Sequence, residues 1–100
     1  MERLRYKIIL NPTAGKGKAG ERTAEIRTRL AASGLDFDIA ETKGVWHAAE
    51  LARDAGREGY GAVVAAGGDG TVNEVVNGLM LARGRGEEPP AMGVLSVGRG

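Results

Sequence analysis

Cysteine is absent from the 100 residues, which excludes a disulfide frame and a thiolate metal site. A single histidine, His47, excludes a histidine-rich metal centre. Aromatic residues make up 4% of the chain, too few for the stacking platforms that hold single-stranded nucleic acid. Neither sign of charge dominates. Fourteen Lys and Arg stand against 13 Asp and Glu, a net charge of +1, so no nucleic acid is expected as a partner. No apolar run approaches the ~20 residues that span a bilayer. The N-terminal residues hold no apolar run of signal-peptide length, and a cytoplasmic location is the default expectation. No segment of the chain reads as a basic amphipathic anchor, so any membrane association is expected to come from elsewhere.

Glycine, with 17 residues, is the residue in excess. That is too many for a bundle of ideal helices and fits a domain with many tight turns. With 42% hydrophobic and 27% charged residues, the chain reads as one ordinary globular domain.

Arg5 to Leu10 is a β-prone run that stops at Asn11-Pro12, since proline cannot continue a central strand. A Gly- and Lys-rich loop leads into a helical pattern from about Glu21 to Ser33, with Ala24, Ile26, Leu30 and Ala31 as its apolar positions. Gly34 ends it, and Leu35 is expected to fold back over the last turn. Phe37 to Glu41 reads as a shorter strand near an edge. Val45 to Arg57 reads as a helix with a small-residue face of Ala48, Ala49, Ala52 and Ala55, ended by Gly56 and Gly59. Ala62 to Ala66 is a short, continuous apolar run of the kind found in buried parallel strands. Thr71 to Arg83 is a third helix carrying Val72, Val75, Val76, Leu79 and Met80, and Met92 to Val97 a fourth strand. The alternation predicts a three-layer α/β/α domain with a parallel, Rossmann-like sheet. Placing the strand 1 and strand 3 loops at a switch point predicts the order 2-1-3-4. A chain that stops after a strand, with no closing helix, is expected to be a truncated piece of a longer protein.

In such a sheet three unusual loops fall on one rim: residues 11–15, 67–71 and 96–100. Gly15, Gly17 and Gly20 spell G-x-G-x-x-G, with Glu41 ending the next strand, so a dehydrogenase-type dinucleotide site is one reading. A solvated surface loop is the simpler one. In the second loop, Gly67, Gly68 and Gly70 let backbone N–H groups approach an anion at a helix start. Asp69 would repel a bare phosphate, a conflict that Mg2+ or an oriented hydroxyl resolves. Turn and capping chemistry is the competing explanation, with Thr71 and Glu74 three apart as a capping box. Asn73 and Asn77 share one helix face and either bond to neighbouring loops or face solvent. Thr42 ends strand 2 on the same rim, where it reaches a nucleotide or caps the next helix. His47 reads as a structural histidine and Trp46 as a packing residue.

Together these loops resemble the diacylglycerol kinase catalytic-domain family of lipid kinases. The resemblance rests on Asn11-Pro-Thr-Ala-Gly15, on Glu41-Thr42 with His47-Ala48 and Leu51-Ala52, and on Gly67-Gly-Asp-Gly-Thr-Val-Asn-Glu-Val-Val-Asn-Gly-Leu79. The glycine–aspartate core is shared with NAD kinases; the Asn-Glu-Val-Val-Asn-Gly extension narrows it to the lipid kinases. The resemblance implies the N-terminal nucleotide-binding domain of a kinase that moves the γ-phosphoryl of Mg-ATP to a lipid hydroxyl. It implies ATP contacts at Asn11, Pro12, Thr13, Ala14, Gly15, Thr42, Gly67, Gly68, Gly70, Thr71 and Glu74, with Asp69 as the catalytic residue. It also implies a role in phospholipid metabolism, a cytoplasmic protein peripheral at the inner membrane face, and a second, β-rich lipid-binding domain outside this chain, without which the chain is expected to be inactive. A homodimer is compatible with it. The last loop departs from the pattern: Ser96 stands for a proline and Arg99 for a threonine, and Arg99 either pairs with phosphate directly or weakens the usual contact. An NAD kinase-like enzyme and a non-catalytic nucleotide-binding regulatory module are the alternatives.

Overall fold

Buried hydrophobic runs place the strands. The computed structural model describes residues 4–12 and 19–96. The elements are β1 (Arg5–Leu10), α1 (Ala19–Ser33), β2 (Asp36–Glu41), α2 (His47–Ala55), β3 (Ala62–Gly67), α3 (Asp69–Gly84) and β4 (Ala91–Ser96). The four strands form one parallel sheet in the order β2-β1-β3-β4. The expected order therefore holds, with β2 at one edge and β1 and β3 at the centre.

Parallel register sorts the side chains onto two faces. Ile9, Val63 and Ala65 point to one face and pack with Ala48, Ala52 and Ala55 of α2 and Val75 and Leu79 of α3. Ile8, Leu10 and Ala66 point to the other, against Ile26 and Leu30 of α1. Right-handed crossovers require this division, because the chain steps one way from β1 to β2 and the other way thereafter. α1 shields only part of its face. Ala24 and Ala31, expected in the core, are exposed, and so is Leu35.

Glycines in the left-handed region close two of the helices as their sequence positions suggest. Gly34 (φ +78°) ends α1. At the end of α3, Gly86 (φ +80°) donates to the Arg83 carbonyl and Glu87 to the Ala82 carbonyl, the double closure of a Schellman motif. Gly78 has a different task. A Cβ there would land on the carbonyl oxygen of Ala49, 2.9 Å from its carbonyl carbon and 3.0 Å from its Cα. Gly78 and the alanine face of α2 thus let the two helices cross in backbone contact.

A polar network lies on the α2 face of the sheet, towards the β2 edge. Lys7, only 7% exposed, donates from Nζ to Glu58 Oε1 at 2.6 Å. Arg5 Nη2 and the Tyr60 hydroxyl both donate to Asp38 Oδ2, at 2.9 and 2.7 Å, and the Arg5 guanidinium stacks 4.6 Å from the Tyr60 ring centre. Tyr60 donates to Asp38 and, with Arg5, holds that carboxyl below the ordinary carboxylate range. The same bond, aided by burial, pushes the Tyr60 hydroxyl from 10.0 up to about 12. Its proton is thus held more tightly in the folded protein. The stabilisation is complete below pH 10 and is lost as pH rises from there through about 12. In a Tyr6→Phe background, tyrosinate absorbance should report Tyr60 ionising near pH 12, and Asp38→Ala should move that ionisation towards 10. An unmoved titration would contradict the assigned bond.

Candidate functional site

The carboxyl ends of all four strands share one rim: Leu10 stands beside Glu41 and Ala66, and Gly67 beside Ser96. α1 leaves β1 on one side of the sheet and α3 leaves β3 on the other, so a crevice opens between adjacent strand ends. Backbone bonds pin its floor. The Asn11 N–H donates to the Ala66 carbonyl at 3.1 Å, and the Thr42 N–H to the Leu10 carbonyl at 2.8 Å. Asn11, Thr42 and Gly67, read from three separate stretches of sequence, are brought together. Pro12 follows Asn11 in a turn. Thr13, Ala14, Gly15 and Arg99 lie outside the described residues, as does Gly17 of the dinucleotide pattern, whereas Gly20 falls inside α1.

α3 begins two residues earlier than expected. Gly68 is its N-cap, in extended conformation, and no side chain caps the helix. Gly68 accepts from the Val72 N–H at 3.2 Å, which starts the helical ladder and leaves the N–H groups of Asp69, Gly70 and Thr71 outside it. The Thr71–Glu74 capping box is therefore corrected. Thr71 lies inside the helix with its side chain buried, and a Cβ on Gly67 would fall 2.6 Å from Thr71 Oγ1. Thr71 packs against the end of β3 because Gly67 leaves the space. Glu74 sits further into the first turns, half-buried.

Gly68 and Gly70 behave unlike Gly67. Neither has positive φ, and a Cβ on either would meet nothing within 4 Å. Local folding does not demand glycine at these two positions. Both are exposed, as is Asp69 between them, so the loop presents bare backbone at the positive end of a helix. That geometry suits close approach by an anion. Asp69 adds one carboxylate on the same turn. Among the described residues no three His, Asp or Glu side chains gather into a metal-ligand set.

His47 has the structural role expected of it: its Nδ1 accepts the Lys43 backbone N–H at 2.9 Å and closes the turn before α2. Thr42 does not cap that helix; Trp46 is the N-cap residue, with φ 72° and no side-chain bond. Trp46 is also 42% exposed, against the expectation that it packs inside. Asn77 donates to the Asn73 carbonyl at 2.8 Å on the exposed side of α3, so this pair does not reach the loops. The role of Gly78 was missed, although a glycine inside a helix whose neighbour is rich in alanine signals such a crossing.

The sequence profile described as the diacylglycerol kinase catalytic domain matches residues 5–100. A diacylglycerol kinase of Bacillus subtilis (strain 168) is 35% identical over 94 residues, which cover 94% of this chain and 30% of that protein. One from Staphylococcus aureus (strain bovine RF122 / ET3-1) is 36% identical over 96 residues, covering 96% and 29%. A crystal structure of a diacylglycerol kinase from Bacillus anthracis str. Sterne superposes with a TM-score of 0.79 at 28% identity, covering 98% of this chain and 34% of that one. The chain thus spans about a third of the length of these relatives.

Proposed function

Since the chain belongs to the diacylglycerol kinase catalytic-domain family, we propose that it is the nucleotide-binding part of a lipid kinase that transfers the γ-phosphoryl of Mg-ATP to a diacylglycerol-like hydroxyl. The observation that carries this reading is the pair of exposed glycines, Gly68 and Gly70, that flank Asp69 where nothing in the fold requires glycine. In this reading the N–H groups at the start of α3 hold phosphate oxygens, and Asn11 and Thr42 line the nucleotide's path along the rim. Asn11 through Gly15, Gly67, Thr71 and Glu74 complete the nucleotide contacts, and Arg99 adds a cation to the phosphates. Asp69 orients the acceptor hydroxyl or the metal. Mg2+, held by a carboxylate together with the phosphate oxygens, would offset the charge of the transferring group, and it is a cation that accepts few protein ligands. Catalysis is then chiefly positioning and neutralisation. The acceptor's pocket is assigned to a further, β-rich domain of the longer protein, so this chain by itself binds nucleotide without turnover.

Calorimetric titration with Mg-ATP and, separately, with NAD tests the reading. ATP binding without NAD binding is expected. NAD binding alone would overturn it in favour of a dinucleotide site built on Glu41.

A further inference from the structure

His47 holds the turn between β2 and α2. β2 is an edge strand, and its register with β1 ends at Leu10 and Glu41. One more backbone bond follows, from the Thr42 N–H to the Leu10 carbonyl at 2.8 Å. A parallel ladder would next use the N–H of residue 12, and that residue is a proline, which has none. The peptide group after Thr42 therefore leaves the sheet. Its N–H, that of Lys43, donates instead to His47 Nδ1 at 2.9 Å. The His47 N–H in turn donates to the Gly44 carbonyl at 3.3 Å. His47 thus grips the turn twice, once through its ring and once through its backbone.

These bonds fix Thr42 from both sides. Its own N–H is tied to β1, and the peptide group that follows it is tied to His47. Both planar units that flank Thr42 are set, and with them the backbone angles that aim its side chain. Thr42 is half-buried on the rim, on the path given above to the nucleotide. Two further features show that the turn is shaped for more than chain reversal. Trp46, a bulky residue, sits in the left-handed region at φ 72°, a conformation that the surrounding bonds have to sustain. Gly44 is exposed, its φ is not positive, and a Cβ there would meet nothing within 4 Å. Gly44 shares this signature with Gly68 and Gly70: bare backbone on one rim, where local folding does not demand glycine.

We propose that His47 is a positioning residue for nucleotide binding: its Nδ1 holds the Lys43 peptide and so presents Thr42 to the nucleotide. The inference rests on the kinase reading. An imidazole accepts at Nδ1 only with its proton on Nε2. The ring is used as an acceptor, and a replacement has to offer one at the same depth. Asparagine does so through Oδ1, whereas leucine fills the space without an acceptor. Once the acceptor is lost the turn samples other arrangements, and the apparent affinity falls with the fraction of molecules that keep Thr42 in place.

The test is calorimetric titration of the intact protein with Mg-ATP, beside KM and kcat for phosphoryl transfer, in His47→Leu, His47→Asn, Thr42→Val and the double variant His47→Leu/Thr42→Val. Thermal unfolding of each variant checks that it is folded. His47→Leu should weaken Mg-ATP binding roughly three- to tenfold, the range that one hydrogen bond sets. It should raise KM for ATP by more than it lowers kcat, the mark of lost binding rather than lost chemistry. His47→Asn should restore most of the affinity. Thr42→Val should show a similar loss, and the double variant should lose no more than the larger single loss, because both changes act on one contact. Wild-type affinity in His47→Leu would overturn the proposal, as would equal losses in His47→Leu and His47→Asn, or losses that add in the double variant. Failure of the wild type itself to bind Mg-ATP is the separate result that removes the kinase reading, and this inference with it.

Discussion

Asp69→Asn in the intact protein is expected to lower phosphoryl transfer from Mg-ATP by roughly 10²-fold or more, the loss expected when a reacting group is no longer held in place. The fold should survive. Asp69 is the first residue of α3 and is exposed. Its carboxylate lies at the positive end of the helix, where such a charge contributes about 0.3–1 kcal/mol. Asparagine keeps the size and removes the charge, so the structural cost stays below ~1 kcal/mol. A residue that served only the helix would show that small loss of stability and normal turnover. Measuring product formation beside thermal unfolding separates the two roles, and near-normal turnover would contradict the assignment to Asp69.

Gly78→Ala is expected to destabilise the domain by about 2 kcal/mol. Overpacking costs about 1–3 kcal/mol, and exchanging glycine for alanine inside a helix returns up to ~1 kcal/mol. The new methyl would meet the backbone of Ala49, which cannot rotate aside, so the estimate belongs at the upper end. In a domain of this size the loss corresponds to a fall in Tm of about 10 °C. Gly84→Ala is the control. Its Cβ meets nothing and its φ is not positive, so stability should hold or rise. Ala49→Gly should not rescue Gly78→Ala, because the obstruction is a carbonyl group. Equal Tm values for Gly78→Ala and Gly84→Ala would refute the close crossing of α2 and α3.

Strands are legible in this sequence where both faces are covered. Residues 62–66 read as buried because every position is apolar, and they lie at the centre of the sheet. The order of strands follows from placing the Asn11 and Gly67 loops side by side. Local signals mislead where tertiary packing takes a residue away. Thr71 looks like a cap, yet it is buried beside Gly67 while Gly68 begins the helix. Ala24 and Ala31 are exposed because they lie on the side of α1 away from Ile26 and Leu30, the residues that meet the sheet. The Arg5–Tyr60–Asp38 network joins residues more than 20 positions apart, which register alone brings together. Periodicity marks Val75 and Val76 alike as apolar positions of α3, and only packing shows that one faces the core and the other solvent.

The most direct test of the account is the affinity of the intact protein for Mg-ATP before and after Gly68→Val. A side chain at Gly68 has open space, and the backbone there is extended, so the variant should fold, losing only the ~1 kcal/mol by which valine is the poorer N-cap. Placed over the start of α3, however, the same side chain would occupy the path of the phosphates. The account predicts a loss of affinity of at least roughly tenfold, equivalent to about 1.4 kcal/mol, in a protein that remains folded at the assay temperature. Equal affinity in the two proteins would contradict a phosphate site at Gly68–Gly70.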